Sequence, residues 1–216
     1  MLKSIYTTLR SRLLASPSRF VQAQDGIAAI EFAIIAPIML FMYFGMAEVA
    51  TAISVDRQIS HSANVAGDLA TQSETVSAAE MTEIMTATML VMGIPSSKKD
   101  GVTIEIASYA REDDDSDTII ERGKAVLKGA KGIDFPDFDA EKLDKRILSN
   151  SSGVVVARVN YLYEPLKLRY MPTDFNITEV FMLKPRKSIN VDIGDSSGPL
   201  EYSCDFSGPG GAPSCS

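Results

Sequence analysis

QDGIAAIEFAIIAPIMLFMYFGMAEV, residues 24–49, decides how the rest of the chain is read. From Phe32 to Ala47 it carries no charge, and Ile27 to Ile30 extends the apolar run toward the N-terminus across one acid, Glu31. A membrane span needs about 20 mostly apolar residues at ~1.5 Å of rise each, and this stretch reaches that length. It is apolar all round rather than along one stripe, so a helix lying in the plane of an interface describes it poorly. Ala52, Val55, Ile59, Ala63, Ala66 and Ala70 then recur at three- and four-residue spacing, which predicts that the same helix continues out of the lipid. From about Ala28 to Thr71 it would be ~65 Å long.

A buried helix of a soluble core and a cleaved secretory signal compete with this reading. Against the signal, no A-x-A site ends the apolar run before the Glu48 region, and a removed peptide has no use for the helical continuation. Flanking charge sets the orientation. Lys3, Arg10, Arg12 and Arg19 precede the span, while Glu48 and Asp56 follow it. The positive-inside rule then puts the N-terminus in the cytoplasm and everything after about Glu48 outside it, a single-pass protein of the inner membrane.

The 216 residues suit one modest domain with accessory segments. Lys3, Arg10, Arg12 and Arg19 against Asp25 give residues 1–26 a net side-chain charge of +3, so the remainder carries −10 of a total of −7. That balance argues against a nucleic-acid-binding surface. Cys204 and Cys215 are the two cysteines, close together near the C-terminus. Their even number fits one disulfide in an oxidising compartment, and two thiols without a nearby His fall short of a metal site.

Glu31 stands where a charge costs up to roughly 2.5–3.5 kcal/mol at a span's centre and less near its end. One reading is an interfacial acid that reaches the headgroups. The other comes from the setting Gly26-Ile-Ala-Ala-Ile-Glu31-Phe32, with a basic stretch before and an apolar helix after, which is the layout of a prepilin cleavage site. A cut after Gly26 makes Ile27 the first residue and Glu31 the fifth. Amine and carboxylate can then pair across neighbouring helices and lower the cost of holding either in lipid.

These residues resemble the TadE-like minor pilins or pseudopilins of bacterial tight-adherence (Tad/Flp, type IVc) pilus systems. Val154 to Tyr163 followed by Glu164-Pro165 is similar to the family's late strand, and Phe181 to Arg186 to its C-terminal Arg-Pro-Arg segment, with Lys184 in the first basic place. The resemblance implies cleavage by a prepilin peptidase at Gly26–Ile27, an assembly role for Glu31 and Phe32, action with a TadF-like minor pilin and other pilus components, and no enzymatic activity or cofactor.

Beyond the long helix, Ser77-Ala-Ala-Glu80 has capping-box form. Met81, Ile84, Met85, Thr88, Met89 and Met92 follow at helical spacing until Gly93 and Pro95. Val102 to Tyr109 alternates as a half-buried strand, and the acidic run Glu112 to Asp117 leads into Thr118 to Leu127 as the second arm of a hairpin. Asp113, Asp115 and Asp117 have the spacing of a calcium loop, but Thr118 and Lys124 stand where it needs Gly and Glu, so a solvated turn is expected. Asp139 to Leu148 reads as a short helix. Val154 to Tyr163, Thr178 to Leu183 and Ser188 to Ile193 read as strands of one antiparallel sheet packed on the long helix.

Gly194-Asp-Ser-Ser-Gly-Pro199 resembles the nucleophile segment of trypsin-like proteases, yet the single histidine, His61, lies on the long helix in no matching motif. A polar turn at Ser196 is the expectation. Asn150 and Asn176 match the glycosylation pattern, which matters only in a eukaryotic secretory pathway.

The expected fold is α+β and pilin-like. Its parts are a cleaved basic leader at 1–26, a long helix at 27–72 spanning the membrane in its first half, an exported domain at 73–200 and a Gly/Pro-rich, disulfide-closed tail at 201–216. The alternative is an uncleaved single-pass anchor carrying an interaction or regulatory domain. Gly26→Ala or a bulkier substitution is expected to leave the leader attached and abolish activity without unfolding the exported domain. A shift of apparent mass on immunoblots of membrane fractions checks this, and normal processing of a bulky substitution removes the assigned cut.

Overall fold

A computed structural model describes residues 26–111, 118–140, 143, 148, 152–165, 173–207 and 211–216. The chain divides into two units, Met1–Val49 and Ala50–Ser216, and helix α1, Ile27–Ala70, contributes to both. In the first unit its large apolar side chains are exposed around the whole circumference, Phe32 by 70% and Met46 by 69%. Pro37 lies inside the helix, where it removes one backbone donor, an irregularity that spans tolerate better than water-facing helices.

The second unit is built on α1 from Ala50 onward. Ile59, Ala63, Ala66 and Ala70 are fully buried at spacings of four, three and four, one stripe of the helix, and share a core with Val155, Ala157 and Val159 of the sheet. The stripe is made of small residues, so helix and sheet approach closely. A Cβ on Gly67 would overlap Leu183 Cδ1 and touch Ala157 Cβ at 3.5 Å. The end of α1 is closed by the Lys184-Pro-Arg186 segment, because Arg186 N–H donates to Thr71 O at 3.1 Å and its guanidinium pairs with Asp68.

Helix α2, Ala78–Met92, starts and stops where its sequence directs. Ser77 N–H donates to Glu80 Oε2 at 2.9 Å while Glu80 N–H donates back to Ser77 Oγ, and Gly93 ends the helix at φ 64°. Its Met81, Met85, Met89 and Met92 are buried, an ordinary core face of adaptable side chains.

Strands β2 (Val102–Arg111), β3 (Ile119–Lys128), β4 (Gly153–Tyr163), β5 (Phe175–Leu183), β8 (Glu201–Phe206) and β9 (Pro213–Cys215) form one sheet in the order β5-β4-β2-β3-β8-β9. Three pairings around β2 and β4 are antiparallel, including the predicted β2–β3 hairpin. The class is α+β, with a mixed rather than purely antiparallel sheet, because β8 returns alongside β3 in parallel with Lys124 opposite Glu201. A smaller sheet joins β1 (Thr75–Val76), β6 (Asp192–Asp195) and β7 (Gly198–Pro199).

The segment Ser188 to Ile193, expected in the main sheet, therefore lies elsewhere. Arg122 clamps Asp192 at 2.6 and 3.0 Å, Ser108 Oγ donates to Val191 O, and Gly153 N–H donates to Ile189 O, which together draw it across the sheet to pair with β1. Strand β2 is also buried on both faces rather than one. The connection after β3 folds over its outer face, and Thr103 Oγ1 donates to Ile133 O at 3.0 Å. The acidic run and most of the Asp139 to Leu148 stretch lie outside the described residues, as do residues 1–25 and Asn150.

Gly123 sits in β3 at φ 105°, and a Cβ there would collide with the backbone carbonyl of Ile193. Backbone cannot yield as a side-chain tip can, so Gly123→Ala should cost at least ~2 kcal/mol. Thermal unfolding of the detergent-solubilised protein measures it; Gly67→Ala, where the neighbour is the movable end of Leu183, should fall well short of that loss.

Candidate functional site

The residues singled out for processing and assembly lie at the start of α1. Added to Gly26, a Cβ meets nothing within 4 Å, so packing within this chain does not demand glycine there. Ile27 and Glu31 are four residues apart and share one helix face, about 6 Å apart along the axis. Ile27 is 52% exposed, Glu31 and Phe32 are exposed as well, and the face they form is unpartnered among the described residues. Farther along, Glu48 is buried and its Oε1 has no hydrogen-bond partner among the described residues, a carboxylate that sequence reasoning used only as a flank.

Cys204 and Cys215 form a disulfide of 2.01 Å between directly opposed residues of β8 and β9. The bond is thus built into the sheet. Strand β9, the short edge, is also held by α2, since Cys215 N–H donates to Thr82 Oγ1 at 3.0 Å. The tail reads as turn-forming from its Gly and Pro residues, and its two short strands become legible only through their pairing with β3 and each other.

On the sheet face away from α1, β2, β3, β4 and residues 133–138 enclose a cavity of about 340 Å³. Its floor is an ion pair. Arg158 Nε donates to Glu105 Oε1 at 2.9 Å, Nη2 bonds the same oxygen, and Nη1 donates to Pro136 O at 2.7 Å. The guanidinium also lies 4.7 Å from the centre of the Phe135 ring and 5.7 Å from that of Phe138. Burial, and then the charges of Glu121 and Glu105, push the Tyr109 hydroxyl up, so it stays a proton donor. At the rim, Lys124 pairs with Glu201 at 3.1 Å. The sequence held a signal for the floor: Glu105 and Arg158 each stand between two apolar neighbours in their strands, and the register sets them opposite each other.

Ser196 lies exposed in the turn between β6 and β7. Asp195 accepts bonds from Ser197 N–H and hydroxyl, which hold its carboxyl below the usual range, and among the described residues no hydrogen bond joins Ser196 to the exposed His61. No three His, Cys, Asp or Glu side chains converge to hold a metal among the described residues.

Among the described residues α1 is the one helix long and apolar enough to cross a membrane, and its place near the N-terminus of a folded domain suggests membrane anchoring. Residues 26–68 match the family model described as TadE-like protein, consistent with a TadE-like protein of Tad pilus systems. The match lies on Gly26 and α1 alone. No curated protein and no solved structure matches the chain.

Arg158 and Glu105 have side chains 8% and 7% exposed. Removing one partner strands a buried charge, so Arg158→Met or Glu105→Leu alone should cost ~3–5 kcal/mol, whereas the two together, which remove both charges, should cost far less than the two single losses combined. Thermal unfolding of the four proteins gives the cycle.

Proposed function

We propose that the chain is a minor pilin or pseudopilin of a Tad/Flp-type pilus, processed by a prepilin peptidase after Gly26 and assembled through α1 with a TadF-like partner. In this reading the N-terminus is cytoplasmic, the first part of α1 lies in the inner membrane, and Ala50–Ser216 stands outside. The observation that carries it is the TadE-like match, which begins at Gly26 and runs along a helix whose first half exposes apolar side chains on every side.

Lipid, or the apolar helices of neighbouring subunits, is the surrounding that such a surface fits. The cut would leave a free amine at Ile27. Because Glu31 lies about 6 Å further along the same helix, pairing one subunit's amine with the next subunit's carboxylate favours neighbours displaced by about one turn. Each charge then finds its partner only in the assembly.

Mass spectrometry of the mature N-terminus tests the processing step, with Ile27 expected; an intact leader would move the protein to the uncleaved-anchor class. Glu31→Ala should yield a processed, inserted protein that fails to co-purify with pilus components and supports few pili. Removing the acid makes the span more apolar, so insertion is equal or better and the defect appears only between subunits. Lysine at position 31 should be worse than alanine, because it sets two like charges together. Pilus counts at matched membrane levels decide, and parental piliation by the alanine variant would leave Glu31 without an assembly role.

A further inference from the structure

The two edges of the six-stranded sheet differ in how they are closed. At one end β9 has three residues, is tied to β8 by the disulfide, and gives its Cys215 N–H to Thr82 of α2. At the other end β5 runs for nine residues and pairs with β4 alone, in one unbroken register from Phe175 to Leu183. Among the described residues no hydrogen bond reaches its backbone except from β4. An open edge of this length is a template for another strand, and proteins ordinarily blunt it with Pro, Lys or a bulge. None of these occurs in β5.

Both faces of β5 leave room for a neighbour. Leu183 lies against Gly67 and Phe181 packs on the core shared with α1, so the odd-numbered residues face α1, and both remain half-buried. On the opposite face Val180 and Met182 are 44% and 45% exposed. The single charge of the strand is Glu179, on the α1 side between Ile177 and Phe181, half-buried and without an ion-pair partner among the described residues. Such an inward-facing charge discourages indiscriminate pairing, because an apolar strand laid alongside would take water from an unpaired carboxylate. A strand that carries a lysine or arginine opposite Glu179 removes that cost. The edge is therefore open but selective.

A second copy of the chain does not satisfy it. Two β5 strands paired antiparallel are related by a two-fold axis normal to the sheet, which reverses every direction lying in the sheet plane. The part of α1 that packs on the sheet would then point oppositely in the two copies, and chains anchored through α1 in one membrane cannot meet that way. Head-to-tail pairing fails at the other edge, where β9 is short and already held by α2.

We infer that β5 is the receiving edge for an extended segment of a partner protein, added to the sheet as one more strand, with a lysine or arginine facing Glu179 and apolar or β-branched residues beside Val180 and Met182. The exclusion of a second copy rests on α1 as the anchor; the edge itself does not depend on the pilus reading. A partner bound here would leave the lipid-facing part of α1 free for its own contacts.

The test uses the full chain in nanodiscs of neutral lipid and follows the backbone amides of β5 by NMR as the blocked peptide acetyl-Val-Thr-Val-Lys-Thr-Val-Thr-amide is added. Saturable shifts in β5 and β4 are expected, together with slowed hydrogen exchange at the alternate β5 amides that point away from β4. The same peptide N-methylated throughout has no backbone donors and should give neither. Glu179→Lys should weaken the lysine peptide about fivefold and strengthen its counterpart with glutamate in the lysine place. Glu83→Lys on α2 makes the same change of net charge away from this edge and should alter neither affinity. Should Glu179→Lys lose its native spectrum, Glu179→Gln is compared with the parent, with a loss of about threefold expected. Binding of the N-methylated peptide, undiminished affinity of the position-179 variant for the lysine peptide, or no saturable shift in β5 would overturn the edge as a docking site. Shifts in β5 that arise without peptide when two copies share a nanodisc would overturn the partner assignment in favour of a second copy. None of these results bears on the cut after Gly26, which is read separately from the mature N-terminus.

Discussion

Everything in the folded domain depends on how closely α1 comes to the sheet. Ala63, Ala66, Gly67 and Ala70 present almost no side chain, and the three alanines share one core with Val155, Ala157 and Val159 of β4. Such contact gains dispersion energy from many atom pairs and leaves little room for sliding, since a Cβ on Gly67 would have to displace Leu183. The arrangement is then closed at the helix end by Arg186, which satisfies the Thr71 carbonyl and neutralises Asp68. A helix that must serve two surroundings in succession is thereby given a definite grip on one of them.

The sheet uses its two faces for different purposes. Toward α1 it is aliphatic and closed. Away from α1 it keeps an arginine and a glutamate under a short lid of aromatic residues, a combination that contributes little net stability compared with an apolar pair but penalises any slip of register between β2 and β4. Shifting one strand by one residue would turn its charge toward the aliphatic core and part it from its partner, so the ion pair helps specify which face is which.

Much of this was readable before any coordinates. The apolar run, the continuation of α1 at three- and four-residue spacing, the capping box at Ser77 and the strand from Val154 to Tyr163 all follow from local patterns, because in each case the chain's own neighbours supply the constraint. What escaped was non-local. Nothing near Asp192 announces that Arg122 will hold it away from the main sheet, and the Gly/Pro-rich stretch around Cys204 and Cys215 becomes strand only because β3 offers a free edge. Thr103 and Glu105 mark β2 as half-exposed by composition, whereas the fold buries them under residues 133–138. The residues proposed for assembly stand in the sequence as a motif, yet a single chain cannot supply the neighbour that Glu31 would need.

The parallel pairing of β3 with β8 has one more consequence. Lys124 meets Glu201 across the whole intervening chain, so the half of the sheet beyond β3 has high contact order and is bought late in folding. A polypeptide that emerges with its N-terminus first delivers α1, α2 and the β2–β3 hairpin while the edge of β3 still waits for its neighbour. During that interval the open edge can pair with another chain, and the arrival of the last residues both completes the sheet and removes the hazard.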